Sequence, residues 1–261
     1  MPEHQIRFED GAAYERMMGT WSRIAAAIFL DWLAPPSGWR WIDVGCGNGA
    51  FTELLIERCA PAEVQGIDPS QAQLAFARTR PAARIAEFSQ GDAMALPFSE
   101  NRFDAAVMAL VIFFVPDPAK GVAEMARVAR PGGTVAAYAW DMLGGGFPAE
   151  PIRVEMRALG LTPLSAPNEA ASRIEALRAL WSGASLDAVE TREIVVQRSF
   201  ANFDDFWTTS MGGSAGQAVA AMASADVELL KTRVRARLPA DAGGRITLGA
   251  RANAVKGRVP K

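Results

Sequence analysis

The stretch RWIDVGCGNGAF, residues 40 to 51, constrains this chain more than any other. A short apolar run ends in three closely spaced glycines, Gly45, Gly47 and Gly49, and a helical pattern follows. Strand, glycine turn and helix in that order form the opening of a unit that lays its strands side by side in parallel.

The spacing of apolar residues repeats the theme. A helix is expected over 12–33, closed by the prolines of APPSG at 34–38. Strands follow at 39–44, 62–68, 83–92, 103–114 and 134–141, and helices at 50–60, 69–80 and 118–129. Pro69 suits the first turn of the second of these helices, and RPGG at 130–133 reads as a turn. Several strands are apolar throughout, which implies a parallel sheet covered on both faces. Beyond 141 the alternation stops. Helices are expected at 149–160, 169–182 and 203–238, the last broken by GGSAG at 212–216, with strands at 189–200 and 245–259. The expected fold class is therefore α/β, a doubly wound, mostly parallel seven-stranded sheet. One domain over 1–261 is expected, with an N-terminal helical cap at about 10–34, a core at about 38–141, and helical inserts with the last two strands at about 142–261.

In such sheets ligands bind beyond the carboxyl ends of the strands, where the glycine turn lies. GCGNGA fits a dinucleotide fingerprint of the form G-x-G-x-x-A, and Asp68 stands where an acidic residue would take the ribose hydroxyls. An NAD-dependent oxidoreductase is thus one reading. Asp43, two residues before Gly45, opposes it, since a carboxylate facing a pyrophosphate costs several kcal/mol where water is excluded. A cationic ligand reverses the sign. S-adenosylmethionine carries an ammonium and a sulfonium, has no phosphate, and shares the adenosine.

Five motifs in order carry a family resemblance: WIDVGCGNG, GID with PS, GDAMALPF at 91–98, FDAAVMALVIFFVPDP at 103–118, and RPGGTVAAYAWD at 130–141. Together they resemble the class I S-adenosylmethionine-dependent methyltransferases of small-molecule type, strongly over about 10–145 and by topology alone thereafter. The resemblance implies that Gly45, Cys46, Gly47 and Gly49 let the backbone approach the methionine part of the cofactor, and that Asp43 assists at its amino group. It implies that Asp68 accepts the ribose hydroxyls with Pro69 and Ser70 beside the adenine, and that Gly91, Asp92 and Ala93 hold the adenine. Ala109, Leu110 and Phe114 would line the methionine and sulfonium region. Tyr14, Met18, Trp21 and Arg23, on the N-terminal helix that such enzymes close over the site, become candidates for the pocket wall, with Arg23 able to meet the cofactor's carboxylate.

Many relatives carry a histidine pair at the positions of Phe113 and Phe114, and the single histidine here is His4, so a histidine base is not expected. Asp141, Tyr138, Tyr14 and Glu150 are open alternatives, and no spacing selects one. The catalytic residue is thus unassigned. Phe113, Phe114, Trp140, Phe147 and Trp207 suggest an apolar or aromatic acceptor pocket, and 200–216, with Asp204 and Asp205 among aromatics, suggests a mobile lid. The expected activity is methyl transfer to a small organic acceptor. A non-catalytic cofactor-binding protein stands beside the oxidoreductase as an alternative.

Charge narrows the partners. A net charge of −2 leaves no footprint for nucleic acid, and the basic residues after Lys231 read as a solvated face. Cys46 and Cys59 are too few and too far apart for a zinc site or a disulfide framework, and no metal is expected. The start lacks a secretory pattern, and the apolar run at 105–115 is too short to span a bilayer, so no membrane partner and a cytoplasmic location are expected. Monomer and homodimer remain equal alternatives.

Overall fold

β1 (Arg40–Val44) pairs in parallel with β2 (Glu63–Asp68) on one side and with β4 (Phe103–Ala109) on the other. β3 (Ala86–Gln90) extends the sheet beyond β2, and β5 (Ala129–Trp140) extends it beyond β4, both in parallel. β7 (Ile246–Arg258) runs antiparallel between β5 and β6 (Asp187–Phe200). The order is β3-β2-β1-β4-β5-β7-β6. The chain winds outward from β1 to β3, then returns to β4 on the far side of β1. That reversal opens a crevice at the carboxyl edge of the sheet, between β1 and β4. The computed structural model describes residues 15–212 and 214–261, without the side chains of Ala82 and Ser214.

A π-helical turn, Glu15–Gly19, leads into α1 (Thr20–Leu33). Crossovers are made by α2 (Ala50–Cys59), α3 (Gln71–Ala77) and α4 (Pro118–Val128). After β5 come α5 (Glu150–Ala158), α6 (Ile174–Gly183), α7 (Phe203–Ser210), α8 (Ser214–Ala220) and α9 (Ser224–Arg237). α4 shows why these segments fold as they do. Asp117 caps it by accepting from the Lys120 N–H at 3.1 Å, Pro118 opens its first turn, and Gly121, Val122, Met125 and Val128 form the buried stripe. Inner strands of a sheet covered on both faces must be apolar on both sides, and Ala105 to Met108 of β4 are all fully buried. Trp181 of α6 spans to the sheet, donating its indole N–H to the Val135 carbonyl at 2.9 Å.

The structure departs from the sequence expectation in several places, among them 169–182, which is a 3-10 turn (Glu169–Ser172) before α6, and 83–92, where β3 starts only after a 3-10 turn (Pro81–Arg84). The apolar run 103–114 is a strand only as far as Ala109. Leu110 takes a left-handed backbone (φ 63°) and Ile112–Phe114 form a 3-10 turn. The turn stays buried, so its apolarity does not distinguish it from strand. RPGG is carried inside β5 as a bulge, where the register jumps from Phe103 opposite Ala129 to Ala105 opposite Thr134. Pro69 precedes α3 rather than opening it. Ser70 is the cap, its hydroxyl accepting from the Gln73 N–H at 3.3 Å. The expected 203–238 helix is three helices, because α8 begins at Ser214, within the glycine-rich break, and a further turn separates it from α9.

Candidate active site

At the end of β1 the chain must turn sharply and still stay bonded to the sheet. Gly45 adopts φ 75°, and its N–H and that of Cys46 both donate to the Ile67 carbonyl, at 2.7 and 3.0 Å. A Cβ at Gly45 would lie 2.5 Å from a methyl of Val111, so any side chain there would collide with the segment leaving β4. Next, the Gly47 N–H donates to Asp68 Oδ2 at 2.9 Å, while the Ser70 N–H donates to Asp68 Oδ1 at 2.8 Å. Asp68 thus ties the first and second strand ends into one cradle.

Below this cradle lies a cleft of about 430 Å³, within the range of small-molecule sites. Asp43, Gly45, Cys46 and Gly47 line it from the first turn, Asp68, Pro69 and Ser70 from the second, and Gly91, Asp92 and Ala93 from the third. Ala109, Leu110 and Phe114 close it from the end of β4. Gly49 does not reach it. A Cβ there would meet Ala77 Cβ at 3.1 Å and the Phe88 ring at 3.3 Å, so Gly49, with φ 78° at the cap of α2, serves close packing of α2 on its neighbours.

The electrostatics are those of a cation site. Asp43 is fully buried, and one oxygen accepts from the Thr52 hydroxyl at 2.6 Å. Its other oxygen, Oδ1, has no hydrogen-bond partner among the described residues. Burial pushes its pKa up to about 7, the Thr52 hydrogen bond pulls it down, and the Asp68 charge adds a further upward push. Burial also raises Asp68, against the two backbone N–H groups that favour its charged form. The Cys46 thiol is pushed well up by burial, with Asp43 and Asp68 adding to it, so it stays protonated and inert. Asp92 is exposed at the rim and accepts from the Met94 N–H at 2.8 Å, forming the turn as well as facing the cleft.

The expected acceptor-wall residues are mostly placed elsewhere. Arg23 points outward to Glu57 at 3.0 Å and Glu53 at 3.7 Å, on the exposed side of α1. Met18 and Trp21 line a separate small crevice against α7, and Trp21 packs edge-on against Trp140 with centroids 6.5 Å apart. The wall is instead formed by Ser22, one residue along from both guesses. Local pattern does not favour it, because a helical stripe assigned from large residues overlooks a small polar one. Asn48, Phe51, Gln73 and Tyr138 were also missed as lining residues, although Tyr138 stood among the possible bases. Tyr14 lies outside the described residues.

Phe113 turns into the core while its neighbour Phe114 faces the cleft, their rings 4.6 Å apart. Trp140 is buried in the core. Asp141 is held by Arg251 at 2.5 Å, and Glu150 by Arg157, so neither is presented to the cleft as a base. Phe147 lies under the Arg153 guanidinium at 5.7 Å, and Trp207 stacks on Phe203 with Lys231 at 5.7 Å from its ring. No described residue of 200–216 lines the cleft; Phe203, Phe206 and Trp207 bury α7 against the body, and the Asp205 carboxylate accepts from the Ala201 N–H at 2.9 Å. Asn202 caps this packed helix by accepting from the Asp205 N–H at 2.9 Å, and Asp204 pairs with Arg235, which does not fit the expected lid over this cleft.

Residues 42–137 match a protein family described as a methyltransferase domain. The chain is 33% identical over 131 residues to a ubiquinone/menaquinone biosynthesis C-methyltransferase of Dinoroseobacter shibae, covering 49% of this chain and 52% of that protein. It is 32% identical over 158 residues to a fatty-acid O-methyltransferase of Mycolicibacterium smegmatis, covering 60% of this chain and 55% of that protein. The matched part spans about half the length of these curated relatives. Among solved structures, the YcgJ protein of Bacillus subtilis shares the fold with a TM-score of 0.61 at 17% identity, covering 91% of this chain and 98% of that one. The matched segment holds the strands that build the cleft, from β1 to β5. Over it, the chain is similar to a methyltransferase domain, and beyond it to methyltransferases in fold alone.

Proposed function

We propose that the protein transfers the methyl group of S-adenosylmethionine to a small organic acceptor. The observation that carries this is Asp43, which lines the cleft beside the glycine turn and whose fully buried Oδ1 has no hydrogen-bond partner among the described residues. A buried charge is tolerated where it is paired, and the partner this one calls for is a cation. The cofactor supplies both that ammonium and a methyl carbon already activated by the sulfonium. The residues present fit it along its length. Asp43 takes the amino group. Asp68 keeps acceptor capacity for the ribose hydroxyls beyond the two N–H groups it already binds, and Pro69 and Ser70 stand beside the adenine. Gly91, Asp92 and Ala93 meet the adenine edge. Ala109, Leu110 and Phe114 form the apolar wall around the sulfur.

For the transfer itself, these residues align donor and acceptor and exclude water, which is the main requirement of an in-line displacement. Phe114 stands where many relatives have histidine, so the acceptor is one that needs little help in losing a proton, such as an acidic phenol or a neutral amine. Among the described residues, Tyr138 is the candidate base that lines the cleft. No helix among the described residues is long and apolar enough to cross a membrane. We place the activity in the cytoplasm, where the cofactor is made. A nucleic-acid acceptor is disfavoured because basic side chains of the C-terminal third are taken up in pairs, Arg233 and Arg237 with Glu155 and Arg235 with Asp204. β6 and β7 complete the same sheet, which supports one domain over the whole chain.

The test uses methyl-labelled S-adenosylmethionine with a panel of hydroquinones, phenols, amines and fatty acids. Label transfer to a neutral acceptor is expected. Cofactor binding without transfer to any class of small molecule would contradict the enzymatic reading.

A further inference from the structure

On α1, Ser22 and Phe29 lie two helical turns apart on one face. The Phe29 ring sits 4.7 Å from Tyr138 and 6.2 Å from Phe51, centroid to centroid, and both of those residues line the cleft. The same face therefore carries Ser22 over the cleft, where its hydroxyl is shielded from solvent. A serine within a helix ordinarily bonds back to the carbonyl one turn before or meets water. Ser22 Oγ does neither, and has no hydrogen-bond partner among the described residues. Asp43 Oδ1 is in the same condition in the same cleft. Buried polar atoms are nearly always satisfied, so two such atoms without a partner among the described residues, on residues that line a single cleft, indicate a ligand that completes both.

We propose that Ser22 is a contact to the cofactor's amino-acid end, its hydroxyl acting with Asp43 Oδ1 on the paired ammonium and carboxylate. The inference rests on the methyltransferase reading. A carboxylate only accepts, whereas a hydroxyl both accepts and donates. Asp43 thus takes the ammonium, and Ser22 can accept from that ammonium and donate to the carboxylate beside it. The nearby guanidinium groups are committed elsewhere: Arg23 to Glu57 and Glu53, and Arg80 to Glu15, Glu53 and the Asn48 carbonyl. Asp68 and Asp92 belong to the adenosine end, so a change at Ser22 should be felt at one end of the ligand only.

Calorimetric titration of Ser22→Ala with S-adenosylhomocysteine and with 5′-methylthioadenosine tests this, since the second ligand keeps the adenosine and sulfur but has no amino-acid end. The expected result is about a tenfold weaker S-adenosylhomocysteine affinity, the size of one hydrogen bond to a charged group, with 5′-methylthioadenosine within about twofold of wild type. The thermal midpoint of the unliganded variant should match or exceed wild type, because the substitution removes an unsatisfied hydroxyl; a structural role for Ser22 would lower it. Equal weakening of both ligands, or none of S-adenosylhomocysteine, overturns the proposal. Failure of the wild-type protein to bind S-adenosylhomocysteine would instead sink the methyltransferase reading beneath it.

Discussion

At Asp43 two demands pull in opposite directions. Full burial favours the neutral acid, while the cleft it lines needs the charged form. The folded carboxyl titrates near 7 against 3.8 for the free side chain. The unliganded fold is therefore favoured by this group below about pH 4, and that contribution is lost as pH rises through 7, a change on the order of 4 kcal/mol. Two outcomes follow. Asp43→Asn should raise the stability of the unliganded protein at pH 8 by roughly 1–3 kcal/mol, with a smaller gain at pH 5, read by chemical denaturation. S-adenosylhomocysteine affinity of the wild type should fall about tenfold from pH 8 to pH 6, as the carboxylate protonates, while the variant binds weakly at both. A pH-independent affinity would mean that Asp43 does not meet the ammonium. Asp43 was legible in the sequence because it precedes a glycine turn after a strand. Its unpartnered oxygen was not, since that depends on Thr52 nine residues on taking only one of the two.

Among the elements, the crossover unit β1–α2–β2 was readable from a strand, a glycine turn and a helix in sequence, and it positions most of the cleft. The end of β4 was not readable, because a buried 3-10 turn and a buried strand share the same apolar composition; only the left-handed Leu110 separates them. The attachment of the N-terminal segment was equally hidden. Arg80 gathers Glu15 of the π-helical turn at 2.5 Å, Glu53 of α2 at 2.8 Å and the Asn48 carbonyl at 2.6 Å. Asn48 also donates to Glu15 at 2.9 Å, so the cleft's own loop is bound to the turn that enters α1. These partners lie up to 65 positions apart, beyond any local pattern. Arg80 is largely buried, and Arg80→Met should cost about 2–4 kcal/mol by removing the guanidinium that two carboxylates share. Glu15 is about one-third exposed, and Glu15→Gln should cost under about 1 kcal/mol. Thermal unfolding of both variants checks the ranking; equal losses would mean the pairing with Glu53 contributes nothing.

At the level of the whole molecule, the sheet order explains why the two halves of the sequence read so differently. Strands β1 to β5 are parallel; β1, β2 and β4 are buried on both faces, and helices follow β1, β2 and β4, which is a strong pattern. β7 enters antiparallel beside β5, and β6 lies at the edge with alternating burial, so the second half reads as strands of another kind although it belongs to the same sheet. The matched family covers the first kind only, and the aromatic residues expected at the acceptor wall in the second half are a core residue, Trp140, and two partners of cations, Phe147 and Trp207. The central claim is that the cleft at the β1–β4 reversal is built for a cationic adenosyl ligand and not for a dinucleotide. Thermal unfolding with S-adenosylmethionine, S-adenosylhomocysteine and NAD⁺, each at equal concentration, tests it most directly. At about 100 times the dissociation constant a ligand adds about 2.7 kcal/mol, a shift of several degrees for a chain of this size. Stabilisation by the two adenosyl sulfur compounds and none by NAD⁺ is the predicted result. Stabilisation by NAD⁺ alone would contradict the account at its base.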